Sequence, residues 1–202
     1  QDEKRDPAST TKMMTAYLVT LLAQQDPKVL EEVVTFSERA DRTPGTTAQV
    51  RAGERVAAGE LLYGLLLPSG NDAAVAFAEH FGERLADEED KATRLDAYAS
   101  FIAAMNRKAA ELGMTSTHFD NPHGLTGAGH RTTATDLARL AVAAWGVPEF
   151  RTIVKTPQHG CTLGAVSGYQ RNIVWRNTNQ LLGTEGYDGI KTGTTGAAGC
   201  CL

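Results

Sequence analysis

Residues 6–23 read Asp6-Pro7-Ala8-Ser9-Thr10-Thr11-Lys12-Met13-Met14-Thr15-Ala16-Tyr17-Leu18-Val19-Thr20-Leu21-Leu22-Ala23. Asp6 to Ser9 marks a helix start, with proline in the first turn, where its missing N–H costs nothing. Met13, Met14, Tyr17, Leu18, Leu21 and Leu22 then recur at helical spacing, giving one apolar stripe to bury. Ser9 and Lys12 stand at i and i+3, on one helix face, with Cβ atoms about 5–6 Å apart. A serine hydroxyl is a weak nucleophile until a base takes its proton. Lysine becomes such a base when burial disfavours its ammonium form. A helix N-terminus adds partial positive charge and free N–H groups for an oxyanion. The plainer reading is a capping serine beside a solvated lysine. An S-x-x-K string arises by chance about once in a chain of this length.

Two further strings follow in order. Pro68-Ser69-Gly70-Asn71 is a turn that launches a helix from Asn71 towards Leu85. It also offers a hydroxyl for proton relay and an amide for a peptide bond. Lys191-Thr192-Gly193 lies in a candidate strand, Gly189 to Thr195, and is expected by chance only a few times per hundred such chains. On a strand Lys191 and Gly193 share a face, and the glycine lets another backbone come close. The plainer reading is an edge strand protected by lysine. The three strings occur jointly in this order about once in several hundred chains.

Around them the 202 residues are ordinary in composition, 42% apolar and 22% charged, with a net charge of -4. That excludes a disordered or collagenous chain, and no basic excess points to nucleic acid. The apolar run from Ala16 to Ala23 is far too short to span a bilayer, which takes roughly 20 residues. Leu95, Tyr98, Ile102, Met105, Ala109 and Leu112 step as a helix that Gly113 ends. Residues 115–131 read as a loop, and Thr133 to Asp136 cap a helix to Trp145, with Gly146 and Pro148 beyond it. Residues 41–59, rich in Thr, Gly and Ala, read as loops or short strands, and residues 152–178 as strands joined by turns, so the strands are concentrated late in a mainly helical chain. His118, His123 and His130 have no metal-ligand spacing and read as hydrogen-bonding surface residues. No metal or cofactor is expected. Cys161, Cys200 and Cys201 allow at most one ordinary bridge, through Cys161.

S-x-x-K, S-x-N and K-T-G in this order form the constellation of the penicillin-binding protein and serine β-lactamase superfamily. Residues 6–16 and Gly64 to Ala74 resemble the D-alanyl-D-alanine carboxypeptidases, the low-molecular-mass penicillin-binding proteins. So do Leu112-Gly113-Met114 through Phe119, Asn121 to Leu125, and Asp188 to Gly193, and the likeness runs through the whole chain. It implies an α+β fold, a helical cluster against a five-stranded antiparallel sheet. Residues 1–202 would be a D,D-peptidase catalytic domain incomplete at both termini, lacking several sheet strands, a later β-rich domain and a membrane anchor.

For the site, the resemblance implies catalytic Ser9, Lys12 and Ser69. Ser9 attacks, Lys12 accepts its proton, and Ser69 relays a proton to the departing D-alanine. Asn71 orients Lys12 and the substrate amide. Lys191 and Thr192 hold the terminal carboxylate beside Gly193, and the N–H groups of Ser9 and Thr194 form the oxyanion hole. The substrate would be a peptidoglycan stem peptide ending in D-Ala-D-Ala, at the bacterial envelope outside the cytoplasmic membrane, with β-lactams as covalent inhibitors. The nearest alternatives are a β-lactamase and a penicillin sensor that turns over no peptide. Class A β-lactamases use S-D-N and a loop glutamate, whereas here Gly70 stands in the second motif and residues 121–131 contain no glutamate.

Overall fold

The computed structural model describes residues 3–201. A single 3₁₀ turn, Ala8–Thr11, leads into α1, Lys12–Gln25. Strand β1 (Val33–Thr35), helix α2 (Glu38–Asp41) and strand β2 (Glu54–Ala57) follow. Helix α3 (Ala58–Leu66) ends at the Pro68-Ser69 turn, and α4 runs over Asn71–Leu85. Short α5, Glu88–Ala92, has a capping box in which Asp87 and Asp90 bond each other's backbone N–H. Helix α6 (Ala97–Glu111) starts at an Asp96 cap and gives way to Gly113 at φ +70°, and α7 (Ala134–Trp145) starts at a Thr133 cap. Helix α8 (Pro148–Val154), hairpin strands β3 (Gln158–Ala165) and β4 (Gln170–Arg176), and the short pair β5 (Gly193–Thr195) and β6 (Gly199–Cys201) complete the order.

Strands β1 to β4 form one antiparallel sheet in sequence order, and β5 pairs with β6 apart from it. Strand β2 falls within the 41–59 stretch read as loops or short strands, but β1 was not expected, and with half of the larger sheet drawn from residues 33–57 the strands are less concentrated late than expected. Three-residue β1 is too short to show alternation. Gly146 and Pro148 lie beyond α7 as expected, but Pro148 also opens α8 at its first turn, where proline fits, so residues 152–154 are helical and not strand. The Gly189–Thr195 strand contracts to its last three residues.

Up to Ala23, helix α1 is buried on almost every side, with the two stripe residues Tyr17 and Leu21 only half-buried, and its last residues Gln24 and Gln25 are exposed. The cause is its place: α3, α4, α6, α7 and α8 all pack around it. Phe77, Phe81, Phe101, Phe119 and Phe150 are sealed from solvent, each contributing roughly 1.5–3 kcal/mol through burial. Trp175 closes the core from the sheet side, its indole N–H donating to Ala48 O at 2.8 Å. The three cysteines are free thiols, and burial pushes Cys161 up to about 12. Among the described residues no helix is long and apolar enough to cross a membrane.

Candidate active site

The turn at Ala8–Thr11 decides where Ser9 points. In a 3₁₀ turn residues i and i+3 eclipse, so Ser9 and Lys12 align more closely than on an α-helix. Ala8 takes φ +48°, a strained value for a residue with a Cβ, and Thr10 Oγ1 donates back to Pro7 O at 2.5 Å. The Lys12 ammonium nitrogen then lies 3.0 Å from Ser9 Oγ, 2.7 Å from Asn71 Oδ1 and 2.6 Å from the His123 carbonyl oxygen. Its side chain is wholly buried. Burial, then the positive charge of Lys191, drives its pKa well below the ordinary lysine value, while Asp72 opposes the fall. A neutral amine has two N–H donors and one lone pair. Asn71 Oδ1 and His123 O match the donors, which leaves the lone pair for the Ser9 hydroxyl proton.

Asn71 caps nothing with its side chain; instead its amide is clamped between two oxygens. Oδ1 accepts from Lys12, and Nδ2 donates to Pro44 O at 2.7 Å. Ser69 sits just before it at φ +66°, buried, and its Oγ is the one buried side-chain polar atom without a hydrogen bond among the described residues. Strain and an orphan hydroxyl together are what a group waiting for an incoming partner shows.

Gly70 between them has no room to grow. A Cβ there would stand 2.7 Å from Asp72 Oδ1 and 2.8 Å from both Ala48 N and Gly64 O. The aspartate of an S-D-N motif is therefore excluded by this backbone. Gly70→Ala should cost about 1–3 kcal/mol, lowering Tm by roughly 3–10 °C in thermal denaturation. An unchanged Tm would contradict this packing.

Lys191 is buried, donates to Thr192 O at 2.8 Å, and is brought down to about 8 by desolvation. The Thr192 hydroxyl makes one long contact, 3.5 Å to Thr178 Oγ1. Gly193 begins β5 directly over the Ser9 turn: a Cβ there would lie 2.8 Å from Ser9 N and 3.1 Å from Thr10 N. Lys191 and Gly193 are the buried pair and Thr192 the more open residue, although β5 itself begins only at Gly193. A cleft of about 800 Å³ runs between these elements, lined by Ser9, Ser69, Asn71, Thr192 and Thr194 together with Lys191 and Gly193. Lys12 lies beneath its floor. All eight residues singled out in the sequence thus meet at one place, drawn from positions up to about 180 residues apart.

Other contributors carry no motif. The His123 carbonyl is a backbone group, which a side-chain pattern does not announce. His123 and His130 are not surface residues: both are buried, held down to about 3 and about 4 chiefly by desolvation. His130 Nδ1 accepts from Asp120 N, so the proton sits on Nε2, which donates to Thr11 Oγ1 at 2.9 Å. Thr15 Oγ1 donates to Pro122 O, and the two bonds fasten the 115–131 loop along α1. That fastening sets His123 O against Lys12.

Helical layers against an antiparallel sheet, with a cleft-lining serine over a buried lysine and a K-T-G segment leading into β5, define the penicillin-binding protein and serine β-lactamase class. The family model described as D-alanyl-D-alanine carboxypeptidase matches residues 1–202, and the chain belongs to that family. It is 36% identical over 206 residues to a D-alanyl-D-alanine carboxypeptidase of Streptomyces sp. (strain K15), covering 100% of this chain and 68% of the relative. It is 35% identical over 207 residues to DacF of Bacillus subtilis (strain 168), covering 100% of this chain and 48% of that one. It therefore spans between about half and two thirds of these relatives' length. The crystal structure of the Streptomyces K15 DD-transpeptidase superposes with TM-score 0.85 at 35% identity, over 100% of this chain and 75% of that one. DacD from Francisella tularensis gives TM-score 0.82 at 28% identity, over 100% and 56%.

Proposed function

We propose that residues 1–202 carry the acyl-transfer site of a serine D-Ala-D-Ala carboxypeptidase working on peptidoglycan stem peptides outside the cytoplasmic membrane. One observation carries the reading: a fully buried lysine with its nitrogen 3.0 Å from a cleft-lining serine hydroxyl and its other two partners both acceptors. In that arrangement neutral Lys12 takes the Ser9 proton as Oγ attacks the penultimate D-alanine carbonyl. The backbone N–H groups of Ser9 and Thr194 receive the oxyanion. Ser69, whose Oγ has no partner, passes a proton to the leaving D-alanine nitrogen. Water then cleaves the acyl-enzyme. A β-lactam presents the same amide and carboxylate and stops at the acyl stage.

Lys191 and Thr192 account for selection of a free C-terminus. Lys191 is the one charged side chain lining the cleft among the described residues. Its ammonium is the form that attracts a carboxylate, and its pKa near 8 puts the loss of that charge within reach. For a peptide ending in free D-Ala-D-Ala, kcat/KM should fall as pH rises through about 8. An amide-capped analogue should show no such fall, because it has no carboxylate to lose. Thr192→Val should cost the free peptide roughly 10- to 150-fold, the worth of about 1.5–3 kcal/mol for a charge-assisted hydrogen bond. The capped peptide should barely change. Parallel losses for both peptides would remove the pair from carboxylate binding. D-Alanine release from the free peptide is the direct test of the function. Acylation by penicillin with no release would favour a sensor instead.

A further inference from the structure

The 44–48 loop lines the cleft with Gly45 and Thr46, and it is tied to the second motif by three hydrogen bonds. Asn71 N donates to Thr46 O at 2.8 Å, Asn71 Nδ2 to Pro44 O at 2.7 Å, and Thr46 Oγ1 to Ser69 O at 2.5 Å. Residues 44–47 are exposed and belong to no helix or strand, so something else must hold the loop still. The anchor is Asp72. Its carboxylate is sealed from solvent at 1% exposure. Oδ1 accepts from Ala48 N at 2.7 Å and from Ala73 N at 2.9 Å, while Oδ2 accepts from Thr47 Oγ1 at 2.7 Å.

We propose that Asp72 is a positioning residue of this site: its carboxylate pins the 44–48 loop to the start of α4, and the loop in turn holds the Asn71 amide with Oδ1 facing Lys12. Without the pin, Pro44 O moves, Nδ2 loses its acceptor and the amide is free to rotate its N–H₂ towards the lysine. A neutral Lys12 meeting a donor instead of an acceptor is no longer oriented towards Ser9. The inference rests on the roles of Lys12 and Asn71 given above. It adds a carboxylate outside the three motifs, one that touches no substrate.

A double-mutant cycle on the penicillin acylation rate tests it. Asp72→Ala should slow acylation roughly tenfold in the wild-type background, on the scale of one lost charge-assisted hydrogen bond, and less than about twofold in an Asn71→Ala background. Thr47→Val, at an exposed position, removes the hydroxyl that donates to Asp72 Oδ2 and accepts from Gln49 N, leaves the Ala48 N bond to Oδ1 in place, and should reproduce the pattern at about threefold. Equal factors in both backgrounds would overturn the proposal, since Asp72 would then act on something other than Asn71.

Asp72→Asn keeps Oδ1 for the two backbone N–H groups, and the Thr47 hydroxyl can turn to accept from the new amide. It should hold the rate within about threefold of wild type. Rescue by the Asn variant is what the hydrogen-bonding role predicts, and an Asn variant as slow as the Ala variant would also overturn the proposal. Wild-type acylation itself tests the functional reading; the cycle is scored by ratios alone, so the two can fail separately.

Discussion

Lys12→Arg is expected to slow acylation by penicillin roughly 10²- to 10⁴-fold, although it keeps the positive charge. The reason is proton chemistry. Lys12 can act as a base because burial and the Lys191 charge bring its pKa far below the usual lysine range. A guanidinium does not lose its proton under any working condition, so no lone pair would face Ser9 Oγ. Its planar fork also has to enter a space where three oxygens already stand 2.6–3.0 Å from a single nitrogen. Lys12→Met is the companion variant, similar in length and neutral, and should fail to the same degree for want of a base. Stopped-flow acylation beside thermal denaturation separates lost chemistry from lost folding. Near-wild-type acylation by either folded variant would end the proton-acceptor role.

The wild-type profile should carry the same signature. Acylation should rise with pH as Lys12 gives up its proton, and this limb should lie well below the range of an exposed lysine. For substrates with a free carboxylate a second limb should fall near pH 8, from Lys191.

How far the sequence discloses this molecule depends on where the physics is local. Helix α4 begins at Asn71 and runs to Leu85 as the Pro68-Ser69-Gly70 turn indicates, although no side chain caps it, because a helix start is set by its immediate neighbours. Gly113 ends the α6 region for the same kind of reason. Helix α8 escaped because Pro148 stops one helix and opens another with equal ease, and seven residues are too few to show a period. Tyr17 and Leu21 misled because a central helix is covered on all sides, so its apolar stripe does not mark its buried face.

The site divides in the same way. The Ser9–Lys12 pairing is legible at three residues' separation, and the 3₁₀ turn only tightens it. That Asn71 reaches Lys12 across 59 residues was available through resemblance and not through spacing. The His123 carbonyl and the Asp72 carboxylate were not legible at all. One is main chain, and the other acts by holding a loop whose importance lies in two backbone oxygens. The buried state of His123 and His130 came from the 115–131 loop folding against α1, a tertiary event that loop composition does not reveal.

The second large effect concerns the nucleophile. Ser9→Ala should abolish covalent labelling by penicillin, because Oγ is the bond-forming atom and the other cleft hydroxyls lack a buried amine at 3.0 Å. The substitution removes one oxygen from a half-buried turn residue and should leave stability within about 1 kcal/mol of wild type. Peptide mass spectrometry after brief exposure to a penicillin, on the wild-type chain and on Ser9→Ala side by side, tests the central claim most directly. The account predicts one adduct, localised to Ser9 within residues 6–12, and none in the variant. An adduct on another residue, or labelling that survives in folded Ser9→Ala, would contradict it.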